Sequence, residues 1–400
     1  MAKACLKRGA MHHMMKKWIA LFLLVALIGG GQMMTGHAQA EDVWMLAVHV
    51  GKGDALLIGV DGEVCLIDTG YPNVRGRILT AMKYMGVSEL SGVFITHTDK
   101  DHVGGLEWLS DSDIPVRAWY ASAMYLDTSE KKHPLAVAAS KRGMEAQWLK
   151  AGDRVPIGSA VFNVLAPIEM ANDKDDNNSL VMMLESAEGR ILLTGDIEIP
   201  AAETLLDSGA SLKCDVLKVA NHGDSDAASQ EFMQAASPKA AVISTSSAEK
   251  EDTPSAKVLR LLQKVNAVVA CTQDAELGVL VRLKGGEPTV DLLDMSGTST
   301  GAVIESVDAE EDSIILANTG SETVDLTDWY LYSVPGNEMM VFPKGTTIEP
   351  GKKLTVGTLS TEGGADVTWP AKKVINKKKT DTLTLYDAYG FAVSEKDNGL

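Results

Sequence analysis

The run Thr96-His97-Thr98-Asp99-Lys100-Asp101-His102-Val103-Gly104-Gly105 constrains this chain more than any other stretch. It follows Gly92-Val93-Phe94-Ile95, so two histidines and two carboxylates stand where a buried strand ends. Imidazole and carboxylate are the ligand types that hold catalytic divalent metals. In extended backbone His97 and Asp99 point to one side, and a helix starting near Asp101 would turn Asp101 and His102 back to the same spot. A solvated polar loop is the alternative, and further ligands at other strand ends are what would decide against it. Gly104-Gly105 is expected to let the backbone pass close to whatever the cluster holds.

Further ligands do occur at strand ends. Strands are expected over Val43 to Val50, Ala55 to Val60 and Val64 to Ile67, the last ending in Asp68-Thr69-Gly70. Asp68 is read either as a helix cap or as a carboxylate that orients a histidine. Asn178-Ser179 leads into the strand Leu180 to Leu184, and Arg190 to Leu193 ends in Thr194-Gly195-Asp196. Asp215 to Ala220 ends in Asn221-His222-Gly223-Asp224. The acidic run Asn172 to Asn178 opens like a calcium loop but has Asn178 and Leu184 where such a loop needs Gly and Glu. Helices are expected over Arg77 to Met85, Pro134 to Arg142, Ile199 to Leu206 and Ala227 to Ala236, and from Pro254 to Gln263 with Thr253 as N-cap. Strand–helix alternation makes this a layered α/β unit. The residues that could meet give one assignment: His97 and Asp99 to one ion, Asp101, His102 and His222 to another, and Asp196 bridging. Asp101 and Asp196 are the candidate catalytic carboxylates. One or two divalent ions, Zn or Mn, are the expected cofactors.

Beyond Ser296-Gly297-Thr298-Ser299-Thr300-Gly301 the helical patterns stop. Short strands at Ser313 to Ala317, Trp329 to Ser333, Lys353 to Val356 and Thr382 to Tyr386 imply a small β-sandwich. The expected organisation is a leader over 1–40, an α/β domain over 41–295, a linker over 296–302 and an all-β domain over 303–400. The leader reading rests on Lys16-Lys17, the apolar run Trp18 to Ile28 and the small-residue site Ala38-Gln39-Ala40. That run is about eleven residues, short for a membrane span, so the mature chain is expected to have no transmembrane domain and to lie outside the cell or on its surface. The first 40 residues hold five basic and no acidic residues, so removing them takes the net charge from −17 to −22. Such a charge argues against a broadly basic surface for duplex DNA. Cys65, Cys214 and Cys271 each lie beside apolar residues, and an odd number with no close spacing reads as core, not as a disulfide framework.

Six motifs carry a resemblance. They are His49-Val50-Gly51-Lys52-Gly53-Asp54-Ala55, Leu66-Ile67-Asp68-Thr69-Gly70, Thr96 to Gly105, Asn178-Ser179-Leu180-Val181, Leu193-Thr194-Gly195-Asp196 and Leu217 to Gly223. In this order they resemble the metallo-β-lactamase fold, and within it the hydrolase domain of ComEC-type competence proteins. The resemblance implies an αββα sandwich with a metal site at one edge. Asp99 matches that family's use of Asp where the wider fold has its second histidine. Three positions depart from the pattern. Asn221 stands for the first of two histidines, Asp224 for Ser, and Thr253 for the His of a His-Pro pair. The part from Val303 to Val393 resembles a lamin-tail domain, through Ile314 to Asn318, Trp329-Tyr330-Leu331, Pro343 to Thr347, Trp369 and Thr382 to Asp387. That implies an immunoglobulin-like sandwich. Its basic cluster, Lys372, Lys373 and Lys377 to Lys379, is either a solvated loop or a contact for an anionic polymer such as nucleic acid or a cell-wall polymer.

The leading expectation is a secreted metal-dependent phosphodiesterase or nuclease. A metallo-hydrolase of a lactone, β-lactam or thioester keeps the same fold. Asp99 argues for the first, because it makes the site richer in oxygen and better suited to Mn or Mg. A catalytically decayed surface-binding protein is the reading that Asn221 and Thr253 would favour.

Overall fold

The computed structural model describes residues 43–126, 128–172, 174–294, 301–336 and 338–400. The expected leader lies outside them, as does the linker up to residue 300. The α/β part is built from β1 (Val43–Val48), β2 (Leu56–Val60), β3 (Glu63–Ile67), β4 (Gly92–Ile95), β5 (Trp119–Ser122), β6 (Ala146–Leu149), β7 (Arg154–Ile157), β8 (Ala160–Ala166), β9 (Val181–Ser186), β10 (Gly189–Leu193), β11 (Val216–Lys218), β12 (Ala240–Ile243), β13 (Val268–Cys271), β14 (Gly278–Lys284) and β15 (Glu287–Leu293). They form two sheets, in the orders β15-β14-β1-β2-β3-β4-β5-β6 and β13-β12-β11-β10-β9-β8-β7. Its helices are α1 (Arg75–Tyr84), α2 (Lys100–Val103), α3 (Leu106–Asp111), α4 (Pro134–Lys141), α5 (Ile199–Asp207), α6 (Gln230–Ala236) and α7 (Ala256–Lys264).

Alternation along the strands explains the layering. In β1, Val43, Met45 and Ala47 pack into the core between the sheets with Phe94, Phe162, Leu184 and Val281. Trp44, Leu46 and Val48 face the other way, into a core shared with α1, α3 and α4. In β10 and β11, Ile191, Leu193 and Val216 face inward, while Leu192 and Leu217 meet α5, α6 and α7. A strand buried on both faces reads as a continuous apolar run, which is why these segments stand out in the sequence. The result is the αββα sandwich. β3, β4, β5 and β6 run parallel, as do β10, β11, β12 and β13. The carboxyl ends of such strands are where an open α/β layer places ligands.

One local expectation needs correction. α7 begins at Ala256, and Ser255 caps it by accepting the Val258 N–H at 3.3 Å. Thr253 Oγ1 instead donates to the Lys250 carbonyl at 2.9 Å, so it closes the preceding turn. Both residues suit a cap, and the hydroxyl three residues before Val258 takes the role. Gly104 and Gly105 pack closely on backbone: a Cβ on Gly105 would lie 2.4 Å from the Thr69 carbonyl oxygen, and one on Gly104 2.8 Å from that of Gly70.

The C-terminal part is all β. Ala302–Asp308, Ser313–Asn318, Lys353–Gly357 and Val367–Thr368 form one sheet, and Glu338–Val341, Tyr330–Ser333, Thr382–Tyr386 and Ala392–Asp397 another. Ile304, Leu316, Leu331, Val356, Trp369 and Leu385 fill the space between. This sandwich docks on the first turns of α1. The Tyr330 hydroxyl donates to the Asn73 carbonyl at 2.5 Å, Asn73 Nδ2 donates to the Tyr386 hydroxyl at 2.9 Å, and the Arg77 guanidinium lies 4.7 Å from the Phe391 ring centre. A side chain on Gly76 would strike the Gly390 backbone at 2.6 Å, so the backbones meet directly. Cys65, Cys214 and Cys271 are buried free thiols.

Candidate metal centre

The ends of β3, β4, β10 and β11 converge on one cluster. β4 delivers Thr96 and His97, and the short helix α2 turns Asp101 and His102 back beside them. Asp68, just past β3, takes a left-handed backbone (φ 58°) that a short polar side chain tolerates. It caps no helix. Its carboxylate accepts the Thr96 N–H at 2.8 Å, the Thr96 hydroxyl at 2.7 Å and His102 Nδ1–H at 2.8 Å.

Each of the three histidines is engaged through Nδ1. His102 uses Asp68, His222 donates to the Ser244 carbonyl at 3.0 Å, and His97 Nδ1 lies 3.0 Å from the Thr96 hydroxyl. The three Nε2 atoms are buried and have no hydrogen-bond partner. His102 Nε2 and His222 Nε2 stand 3.3 and 2.9 Å from Asp196 Oδ2, but out of hydrogen-bond alignment. Asp101 Oδ2 is 3.4 Å from His222 Nε2. Ligand atoms of His97, His102 and Asp196 lie within 4.8 Å of one another, and so do those of Asp101, His102 and His222, and those of His97, Asp99 and Asp176. Nδ1 held by a neighbour and Nε2 turned toward carboxylates without a hydrogen bond is the arrangement of an imidazole that can exchange its Nε2 proton for a metal ion. The residues therefore fit a divalent cation on their own geometry.

The electrostatics agree. Burial disfavours charge on His102, yet Asp196 and Asp68 outweigh it and hold its pKa well above the ordinary imidazole range. His222 is likewise raised against burial, chiefly by Asp196 and Asp101. His97 is pushed down by burial and by its neighbour His102. Asp196 is held well below the usual carboxylate range, against burial, by His222, His102 and Lys218. Carboxylates that attract protons this strongly attract other cations.

The remaining expected residues serve from the edge. Ser179 Oγ accepts the Asp196 N–H at 3.2 Å. Asn178 clamps the Ala171 backbone at both N–H (2.8 Å) and C=O (2.9 Å), while its own carbonyl accepts Ser122 Oγ at 2.7 Å. Asn221 and His222 both adopt positive φ (41° and 52°). His222 enters the cluster; Asn221 donates its N–H to the Gly195 carbonyl at 3.3 Å.

Four residues at the site carry no such assignment in the sequence reading. Asp175 accepts the Thr98 N–H at 3.0 Å and the Leu126 N–H at 2.8 Å, fastening the acidic loop to the cluster. Asp176, next to it, has a pKa lifted to about 6 by burial and by Asp99, Asp196 and Glu198, with Lys174 opposing. Lys218 is fully buried and pairs with Asp54 across the sheets. Its signal was positional: two residues after Val216, a lysine on the inner face of a buried strand must have a charged partner.

Residues 49–247 match the Metallo-beta-lactamase superfamily, and residues 295–397 match the Lamin Tail Domain. The chain thus carries a metallo-beta-lactamase domain followed by a lamin tail domain. It is 29% identical over 236 residues to ComE operon protein 3 of Bacillus subtilis (strain 168), covering 54% of this chain and 30% of that one. Competence protein ComA of Neisseria gonorrhoeae is 25% identical over 246 residues, 61% of this chain and 32% of that one. Exodeoxyribonuclease YycJ of Bacillus anthracis is 31% identical over 67 residues, 16% of this chain and 25% of that one. The chain spans about a third or less of the length of each of these relatives.

Proposed function

We propose that this protein is a metal-dependent hydrolase of phosphodiesters, acting as a phosphodiesterase or nuclease on the outer side of the membrane. The observation that carries the reading is the convergence of three buried Nε2 atoms, which make no hydrogen bond, with the carboxylates of Asp101 and Asp196 at the ends of parallel strands. In this reading His97 and Asp99 would hold one ion, Asp101, His102 and His222 would hold a second, and Asp196 would serve both. Zn or Mn suits the donor set, and the share of oxygen ligands favours Mn. When bound, such ions supply positive charge that lowers the pKa of a nearby water and offsets charge developing on a phosphoryl oxygen.

The chain's own residues do the rest. Asp68 holds His102 in one tautomer and one orientation. Asp101 and Asp196 are placed to accept a proton from an attacking water or to orient it. Lys52, whose Nζ is 3.4 Å from Asp101 Oδ2 and partly exposed, is placed to meet a substrate phosphate. The names of two relatives support the substrate class: one is a competence protein and one is an exodeoxyribonuclease. Lys16-Lys17, the apolar run Trp18 to Ile28 and Ala38-Gln39-Ala40 support export; among the described residues no helix is long and apolar enough to cross a membrane. The lamin tail domain, with exposed Lys372, Lys373, Lys378 and Lys379, would tether the enzyme to an anionic polymer.

The test is cleavage of single-stranded DNA, RNA and bis-para-nitrophenyl phosphate by the purified protein with Mn or Zn, beside a lactone, a β-lactam and a thioester. Phosphodiester cleavage that chelator abolishes is expected. Turnover of the acyl substrates alone would replace the phosphodiester reading, and bound metal below one equivalent with no turnover would make the protein a binding module.

A further inference from the structure

The cluster contains a buried lysine. Lys218 ends β11 on the inner face and is fully buried. Its Nζ pairs with Asp54, which lies between β1 and β2 in the opposite sheet. It also donates to the Gly195 carbonyl at 3.2 Å and lies 3.5 Å from Asp196 Oδ1. The two oxygens of Asp196 therefore face different partners: Oδ1 faces the ammonium, and Oδ2 faces the Nε2 atoms of His102 and His222 at 3.3 and 2.9 Å. A carboxylate without such an anchor is free to rotate about its last bond and present either oxygen.

We propose that Lys218 is a positioning residue that holds Asp196 by Oδ1, so that Oδ2 is presented to the histidine cluster where a divalent ion binds. The inference rests on the metal-centre reading above. Its sign separates it from simple charge balance. An ammonium this close to a cation site repels the cation, so removing a mere counter-charge would tighten metal binding. Removing a positioning residue weakens it, by about the 10–100-fold that loss of a partner behind a ligand costs.

The experiment is calorimetric titration of Mn2+ alone into the full chain and its variants, with the Mn2+ electron paramagnetic resonance spectrum as a second readout. K218M is expected to bind Mn2+ at least about tenfold more weakly, with an altered spectrum. It also leaves Asp54 buried without its partner, so D54N/K218M is measured beside it, with the single D54N variant as its reference. The double variant removes both charges and is expected to show the same loss relative to D54N in a folded protein. Unchanged or tighter binding in either folded variant overturns the proposal. Failure of both to fold would make Lys218 a structural strut and overturn it as well. A wild-type protein that binds no Mn2+ defeats the metal-centre reading itself, whereas equal binding by wild type and variants defeats only the role of Lys218.

Discussion

The two domains bury carboxylates in opposite ways. In the lamin tail domain Asp312 accepts the N–H groups of Val374 (3.1 Å) and Ile375 (2.8 Å) and the Thr358 hydroxyl (2.8 Å). Asp381 accepts the Asn376 N–H at 2.8 Å and the Ser333 hydroxyl at 3.0 Å, and Asp387 the N–H groups of Tyr389 and Phe391, both at 2.9 Å. The donors to Asp312 and Asp381 are neutral, and several come from backbone that would otherwise be orphaned, so each charge fixes a loop. In the metallo-beta-lactamase domain the partners of Asp68, Asp101 and Asp196 include imidazoles and two lysines, Lys52 and Lys218. Asp54 Oδ1 and the Nε2 atoms of His97, His102 and His222 are left without hydrogen bonds. Buried charge is costly unless compensated. Full compensation by N–H donors marks structure; lone pairs left over in a charged cluster mark a place for a cation.

That contrast can be broken by substitution. His97→Ala should remove metal binding at its position and abolish phosphodiester cleavage, a loss larger than the roughly 10–100-fold typical of an outer partner. Full cleavage by this variant would remove the cluster from the chemistry. Asp312→Asn should do the reverse. It turns an acceptor toward N–H donors with an amide and should cost roughly 2–3 kcal/mol of stability, read from the urea midpoint. Its Mn2+ titration should match wild type, and a changed titration would show that the two kinds of site are coupled. Asp68→Asn lies between, because its carboxylate holds both backbone and a histidine. We expect metal affinity to fall roughly 10–100-fold with the fold intact. A variant that unfolds would move Asp68 to the structural class.

The same contrast explains what the sequence disclosed. The 96–105 run was legible because polar residues crowd the end of an apolar strand, and Asp68 and Asp196 because each follows a β pattern before a turn. Lys218 was harder to read. A lysine within Val216-Leu217-Lys218-Val219 resembles an edge-strand charge, and only the sheet order shows β11 between β10 and β12. Asp54 looked like part of a tight turn, since its partner lies 164 residues on, at Lys218. Asp175 and Asp176 sat in a run measured against a calcium loop, so their link to Thr98 and His97 was invisible without the fold. Four lamin tail strands were placed closely because turn residues bracket them, whereas Ala302–Asp308, Glu338–Val341 and Ala392–Asp397 were not read. Their docking on Asn73 and Gly76 depends on tertiary contacts that no local pattern encodes.

A fourth buried histidine gives the smallest test. His133 Nδ1 accepts the Leu135 N–H at 3.2 Å, capping α4, and its ring packs against Tyr125 and Trp148 at 4.8 and 4.9 Å. It is a histidine used as structure, and the bond requires Nδ1 unprotonated. Burial lowers its pKa to about 4 from an ordinary 6.5, with Asp175 opposing. The folded chain therefore resists a proton that the unfolded chain accepts. The contribution of His133 to stability is complete above pH 6.5 and is lost as the pH falls toward about 4. His133→Asn keeps a capping acceptor that does not titrate. With chelator present to silence the metal centre, wild type should lose roughly 1–3 kcal/mol more unfolding free energy than the variant between those pH values. Equal losses would mean that proton uptake at His133 is no part of the acid response.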